Sequence, residues 1–234
     1  MPTGSVKERF ELSMKSEDAS DNVRSPADHL KAVDNAMMER CLALAMQAAD
    51  RGEYPYAAII CRAERIICET MTTVRQDRDA TEHAELRAIK TAYRSLNRVG
   101  LEDCTIYSNA EPCALCSYAI RESRIGRVVY GIPTPLTGGM SRWNILADKE
   151  LSERLPEVFA PPPEIVAGFM SEQIEAAIAD RYPVAWQFIH ARKMYGGPPP
   201  SQVLGPRRIG ESKRLRDRIM SLLRWGLFDY FGRK

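Results

Sequence analysis

The sequence predicts an α/β fold, a three-layer α-β-α sandwich around a partly parallel sheet. Two observations predict it. From an initial hairpin onward, β-prone runs and helical stretches follow one another as strand, helix, strand, helix, strand, and helices interleaved in this way pack on the faces of a sheet. The 234-residue chain is also 44% hydrophobic and 27% charged, the composition of a globular protein long enough to bury a core.

Residues 1–24 mix charge and serine without periodicity and are expected to be disordered. Ser25-Pro26 reads as an N-cap followed by proline at the first helical position. A helix follows over Ala27–Arg51, with Val33, Met37, Leu42, Ala45 and Met46 near helical spacing and Gly52 as its stop. Tyr56–Cys61 and Arg65–Thr70 flank an Ala63-Glu64 turn and predict a hairpin. Thr81–Leu96 is predicted helical, with Leu86, Ile89 and Tyr93 on one face. Asp103–Ser108 is a buried strand candidate, Pro112–Ser123 a helix opening on proline, and Ile125–Ile132 a further strand. A Gly/Pro-rich loop (PTPLTGGMSRW), an apolar piece near Ile165–Gly168 and a helix over Ser171–His190 come next. Residues 193–210, with GGPPPSQVLGP, read as a linker, and 211–234 as a basic amphipathic helix.

The formal charge of +2 is unevenly spread. Ala191–Lys234 carries eleven Lys and Arg against three Asp and Glu, which leaves 22 basic and 28 acidic residues, net −6, in 1–190. No apolar run approaches a membrane span, and the first twenty residues have no apolar h-region of a secretory signal. Six cysteines in a chain of this length do not make a disulfide scaffold. Reduced thiols and a cytoplasmic location are expected.

The chemistry is carried by Ala110–Cys116, AEPCALC. A lone C-x-x-C is open to three readings: a redox pair, half of a structural zinc site, or part of a catalytic metal site. No second C-x-x-C exists in the chain, and Cys41, Cys61, Cys68 and Cys104 read as small core hydrophobes. His83-Ala84-Glu85, at the start of the preceding helix, favours the third reading. His83, Cys113 and Cys116 supply three ligands, and catalytic zinc sites leave the fourth position to water whereas structural ones close it with protein. Glu85 is then placed to carry a proton beside that water. Cys113 and Cys116, three apart, share a helix face near the N-terminus, where unpaired N–H groups and the helix dipole favour thiolates. His83 and Glu85 converge only if His83 sits at the helix N-terminus.

TEHAEL followed by AEPCALC resembles the zinc-dependent cytidine-deaminase-like superfamily, whose signature is H-x-E…P-C-x-x-C. With SRIGRVVYG after it, the second motif is most similar to the guanine deaminase and tRNA adenosine deaminase branch. The likeness covers roughly residues 30–190, so a deaminase domain is expected over 25–192. It implies a five-stranded mixed sheet between helices, Zn²⁺ held by His83, Cys113 and Cys116, and a bound water acidified from its bulk value to about pKa 7. It further implies that Glu85 shuttles the water's proton to a ring nitrogen and then to the departing amine, and that the Ala84 backbone N–H meets a substrate carbonyl or ring atom. A homo-oligomer is implied by analogy. The likeness is imperfect: D-P-T-A-H-A-E becomes Asp79-Ala80-Thr81-Glu82-His83-Ala84-Glu85, and a substrate-contacting Asn ten or eleven residues before the histidine becomes Thr73 or Thr72. Threonine lacks an amide's paired donor and acceptor. In the loop after the fourth strand, two roles are open to Trp143, stacking on a flat base or anchoring the loop as a core aromatic.

Three functions are compatible with this pattern. A small-molecule aminohydrolase acting on a free base, nucleoside or related ring amine suits the acidic body, because a nucleic-acid surface is basic. A tRNA adenosine deaminase would draw phosphate contacts from Arg207, Arg208, Lys213, Arg214, Arg216 and Arg218. The tail's apolar members, among them Leu222, Trp225 and Phe228, suit a membrane surface or a protein groove better, and a helix simply docked on its own domain is an equal alternative. A non-catalytic zinc-stabilised interaction module ranks last, since it has no use for Glu85.

Overall fold

A computed structural model describes residues 25–192, 194 and 195. The predicted 1–24 extension, most of the 193–210 linker and the 211–234 helix lie outside the described residues. The chain divides between Ala32 and Val33, inside its first helix, into a short N-terminal unit and a main unit. Helix α1 is Pro26–Asp50. Within the N-terminal unit, Ser25 caps it as expected: Ser25 Oγ accepts from the Asp28 amide at 3.1 Å and donates to the Asp28 carboxylate at 2.8 Å. Gly52, at φ 81°, leaves the helix in the left-handed region.

The main unit is built on one five-stranded sheet, β1 Ala57–Arg62, β2 Arg65–Met71, β3 Cys104–Ala110, β4 Arg127–Ile132 and β5 Glu164–Ala167, in the order β2-β1-β3-β4-β5. The β1–β2 hairpin turns at Ala63 (φ 50°). β1 is antiparallel to β2 and β3, whereas β3, β4 and β5 run parallel. The mixed sheet is therefore the one expected. Helices α2 Val74–Asp77, α3 Ala84–Leu96, α4 Ala114–Glu122, α5 Lys149–Arg154, α6 Ser171–Arg181 and α7 Pro183–Ala191 complete it.

Alternation along the strands sorts the core into two layers. On one face Ala58 and Ile60 of β1, Ile106 of β3, and Val128 and Tyr130 of β4 pack with Ala84, Ala88 and Ala92 of α3 and Ile120 of α4. On the other, Ala57 and Ile59, Tyr107 and Val129 pack with Met38, Cys41 and Ala45 of α1 and Ile174 and Ile178 of α6. Alanine at every fourth position lets α3 lie close to the sheet.

Several boundaries differ from the sequence reading. The buried stripe of α1 is Met38, Cys41, Leu44, Ala45 and Ala48; Met37, Leu42 and Met46 only flank it. The Thr81–Leu96 helix begins at Ala84, because Asp79 Oδ1 takes both the amide and hydroxyl of Thr81 in a turn and His83 is extended (ψ 148°). The Pro112–Ser123 helix begins at Ala114, since Cys113 is extended (ψ 174°) and bridged to Gly138. The single helix over Ser171–His190 is two: Pro183 forces Tyr182 out of the helical region (ψ 58°) and breaks it. The short helices α2 and α5 were not anticipated.

Candidate metal centre

Two helix N-termini meet at the carboxyl end of β3. His83 is the N-cap of α3 and Cys113 the N-cap of α4, so Glu85 lies one residue inside the first helix and Cys116 in the first turn of the second. The extended His83 meets the condition for converging with Glu85, because a residue at the N-cap need not follow the helical spacing. The first-turn amides at both termini lack helical partners and turn the positive ends of two helix dipoles on the same place.

His83 Nδ1 lies 3.6 Å from Cys113 Sγ and 3.3 Å from Cys116 Sγ, and the two sulfurs are 3.6 Å apart. A tetrahedral zinc with Zn–S about 2.3 Å and Zn–N about 2.0–2.1 Å holds its ligand atoms roughly 3.5–3.8 Å apart. The three side chains are thus placed to bind Zn²⁺. Their electrostatics ask for a cation: Cys113 is pulled down to about 4, first by the Cys116 sulfhydryl and then by His83, against burial. Cys116 moves up, through its bond to Cys113, its burial and the nearby Glu85 carboxylate. The Cys113 sulfur raises His83. Two thiolates this close ionise together only when a positive charge joins them.

Glu85 is 7% exposed. Its Oε1 accepts from Ser108 Oγ at 3.1 Å, and its Oε2 lies 3.4 Å from Cys116 Sγ. Burial raises its carboxyl, the Cys113 sulfur adds to this, and His83 and Ser108 oppose it. Glu85 stands beside the three-residue cluster without being part of it, which is where a proton carrier belongs.

Of the predicted site residues the structure brings together His83, Ala84, Glu85, Cys113 and Cys116. Thr72 Oγ1 instead donates to the Glu82 carbonyl at 3.1 Å. Thr73 Oγ1 donates to Asp77 at 2.5 Å and accepts from Arg87 at 2.6 Å. Trp143 is 47% exposed beneath the Arg142 guanidinium, 5.1 Å from its ring centroid, and so is not a buried anchor. Sequence reasoning missed Ser108, which orients Glu85, and Asn109. The Asn109 side chain accepts from Ala57 N and donates to Pro55 O, both at 2.9 Å. Their signal was present, since Ser108 and Asn109 are buried polar residues at the end of β3, with the buried Glu111 just after it.

Fold and cluster together define a candidate zinc centre with a buried carboxylate, Glu85, beside it. Residues 31–132 match the model of the cytidine and deoxycytidylate deaminase zinc-binding region. The chain is 40% identical over 118 residues to the tRNA-specific adenosine deaminase of Aquifex aeolicus, covering 50% of this chain and 78% of that one. It is 41% identical over 123 residues to the tRNA(Ile)-lysidine synthase of Deinococcus radiodurans, covering 52% of this chain but only 20% of that protein. A solved structure from a study of A-to-I editing by tRNA:A34 deaminases superposes with TM-score 0.54 at 27% identity, covering 61% of this chain and 98% of that one. The chain belongs to the deaminase family that shares this zinc-binding region.

Proposed function

We infer that the protein is a zinc-dependent aminohydrolase that replaces the exocyclic amine of a free nucleobase, nucleoside or related heterocycle with oxygen and releases ammonia. Glu85 is the observation that carries this reading: a buried carboxylate, oriented by Ser108, beside a three-ligand cluster and outside it. Structural zinc centres close with four protein ligands. His83, Cys113 and Cys116 would hold the zinc, which would supply an acidified water as nucleophile. Glu85 takes the proton of that water and delivers it to the ring nitrogen beside the carbon under attack. It then takes the proton of the new hydroxyl and hands it to the amine, which leaves as ammonia. The amide of Ala84, first residue of α3 and without a helical partner, holds a carbonyl or ring atom of the substrate, and Trp143 stacks on the ring.

Two observations support a small substrate. Thr72 and Thr73 stand where an amide is expected, and their hydroxyls are engaged by Glu82, Asp77 and Arg87. The acidic balance of residues 1–190 disfavours a polyanion. A cytoplasmic setting belongs to the same reading, because all six cysteines are free. So does a homo-oligomer, supported by the exposed Leu115 and Tyr118 of α4. A second reading, deamination of adenosine in tRNA, is supported by the name of the Aquifex relative, with phosphate contacts from the basic tail. Ammonia release by the full chain over guanine, cytosine, adenosine, cytidine and tRNA separates the two. Turnover of a free base or nucleoside is expected; turnover of tRNA alone moves the function to the second reading, and no ammonia from any of them contradicts both.

A further inference from the structure

Glu111, the residue before the Pro112-Cys113 step, is used by no part of the reaction above, yet it is 3% exposed. Its two oxygens accept four hydrogen bonds, all from the loop after β4. Oε2 takes the Thr134 amide at 2.7 Å and Ser141 Oγ at 2.8 Å; Oε1 takes the Met140 amide at 3.0 Å and the Ser141 amide at 2.6 Å. Four donors fill the lone-pair positions of one carboxylate, and a carboxylate bonded to N–H groups makes bonds about twice as strong as neutral ones.

The gathered loop is then pressed onto the metal ligand. Gly138 forms a β-bridge with Cys113. The bridge is closed on either side by Ala114 N to Thr137 O at 3.2 Å and Gly139 N to Pro112 O at 2.8 Å. There is no room for a side chain in this contact. A Cβ on Gly138 would sit 2.2 Å from Glu111 Oε1, and one on Gly139 would sit 1.9 Å from Ser117 Oγ. Glu111 therefore acts on Cys113 twice, through two residues of chain and through the loop that brackets it.

We propose that Glu111 is a positioning residue: its carboxylate gathers residues 134–141 against Cys113 and thereby sets the geometry of the metal centre before metal or substrate arrives. The inference rests on the zinc reading above, and its readouts need no substrate, so it fails separately from any assignment of the reaction. Partners that orient metal ligands typically change affinity 10–100-fold when removed.

The test uses the full chain in zinc-loaded and chelator-stripped forms. In wild type, amide exchange at Thr134, Met140 and Ser141 is expected to be slow in both forms, because Glu111 and not the metal holds the loop. Glu111→Gln, which keeps the shape but turns an NH₂ toward N–H donors, is expected to speed exchange over 134–141. It should also lower zinc affinity at least tenfold in competition with a chelator, and shift the thiolate-to-metal absorption of the Co²⁺-substituted protein. Rapid exchange of these amides in the stripped wild type overturns the proposal without any variant, which decides the matter should Glu111→Gln fail to fold. A folded Glu111→Gln with wild-type zinc affinity and Co²⁺ spectrum, losing only thermal stability, overturns it equally.

Discussion

At the scale of single residues, the site turns on how Glu85 is held. Ser108 Oγ donates to Glu85 Oε1 at 3.1 Å, and a hydrogen bond to a charged group is worth about 1.5–3 kcal/mol. Ser108→Ala is expected to keep the zinc content of wild type and lower kcat roughly tenfold or more, read by ammonia release from the zinc-loaded protein. Cys113→Ala removes one of three ligands and should leave the purified protein without stoichiometric zinc, read by elemental analysis. Retained zinc would mean that a group other than Cys113 completes the ligand set. Thr73 shows what residue identity alone conveyed. Its departure from asparagine was plain in the sequence, but the partners of its hydroxyl, Asp77 and Arg87, are set by the turn that precedes α3.

At the scale of elements, α1 is tied to the sheet by a buried ionic contact. Arg127, at the start of β4, grips Asp34 through two bonds of 2.7 and 2.8 Å, and Tyr107 Oη donates to the same carboxylate at 2.8 Å. Asp34 and Arg127 side chains are 5% and 12% exposed. Removing one partner of such a pair leaves a buried charge and costs about 3–5 kcal/mol. Arg127→Met should lose about that much in urea unfolding, and Asp34→Leu added to it should restore part of the loss. A weaker clamp joins β1, β3 and the end of α3: Asp103 faces Arg98 and Arg62. Arg98 first, then Arg62, lowers its carboxyl to about 2. Its stabilisation is complete above the unfolded pKa of about 3.9 and is lost as pH falls from there through about 2. With Asp103 44% exposed, the contribution is below about 1 kcal/mol. Asp103→Asn should be slightly less stable than wild type at pH 7 and should converge on it as pH falls through about 2. Strands were the most legible elements, because continuous apolar runs such as VVYGI demand burial on both faces. Helix starts were the least, because they depend on remote partners: Gly138 holds Cys113 extended, and no local pattern around Pro112 announces a residue twenty-five positions away.

At the scale of the whole molecule, the three-layer architecture brings two helix N-termini and the end of β3 to one point. H-x-E and P-C-x-x-C, whose ligands His83 and Cys113 are 30 residues apart in the chain, become one centre there. The motifs made the centre legible; the 134–141 loop, Ser108 and the twofold use of α3 and α4 termini needed the fold. Zinc and Glu85 together are the central claim, and ammonia release by zinc-loaded wild type and Glu85→Gln, measured side by side on the best substrate of the panel, tests it most directly. Loss of general acid–base catalysis predicts a fall of about 10²–10⁴-fold with one zinc per chain in both proteins. A Glu85→Gln protein that keeps its zinc and releases ammonia at the wild-type rate would contradict the account.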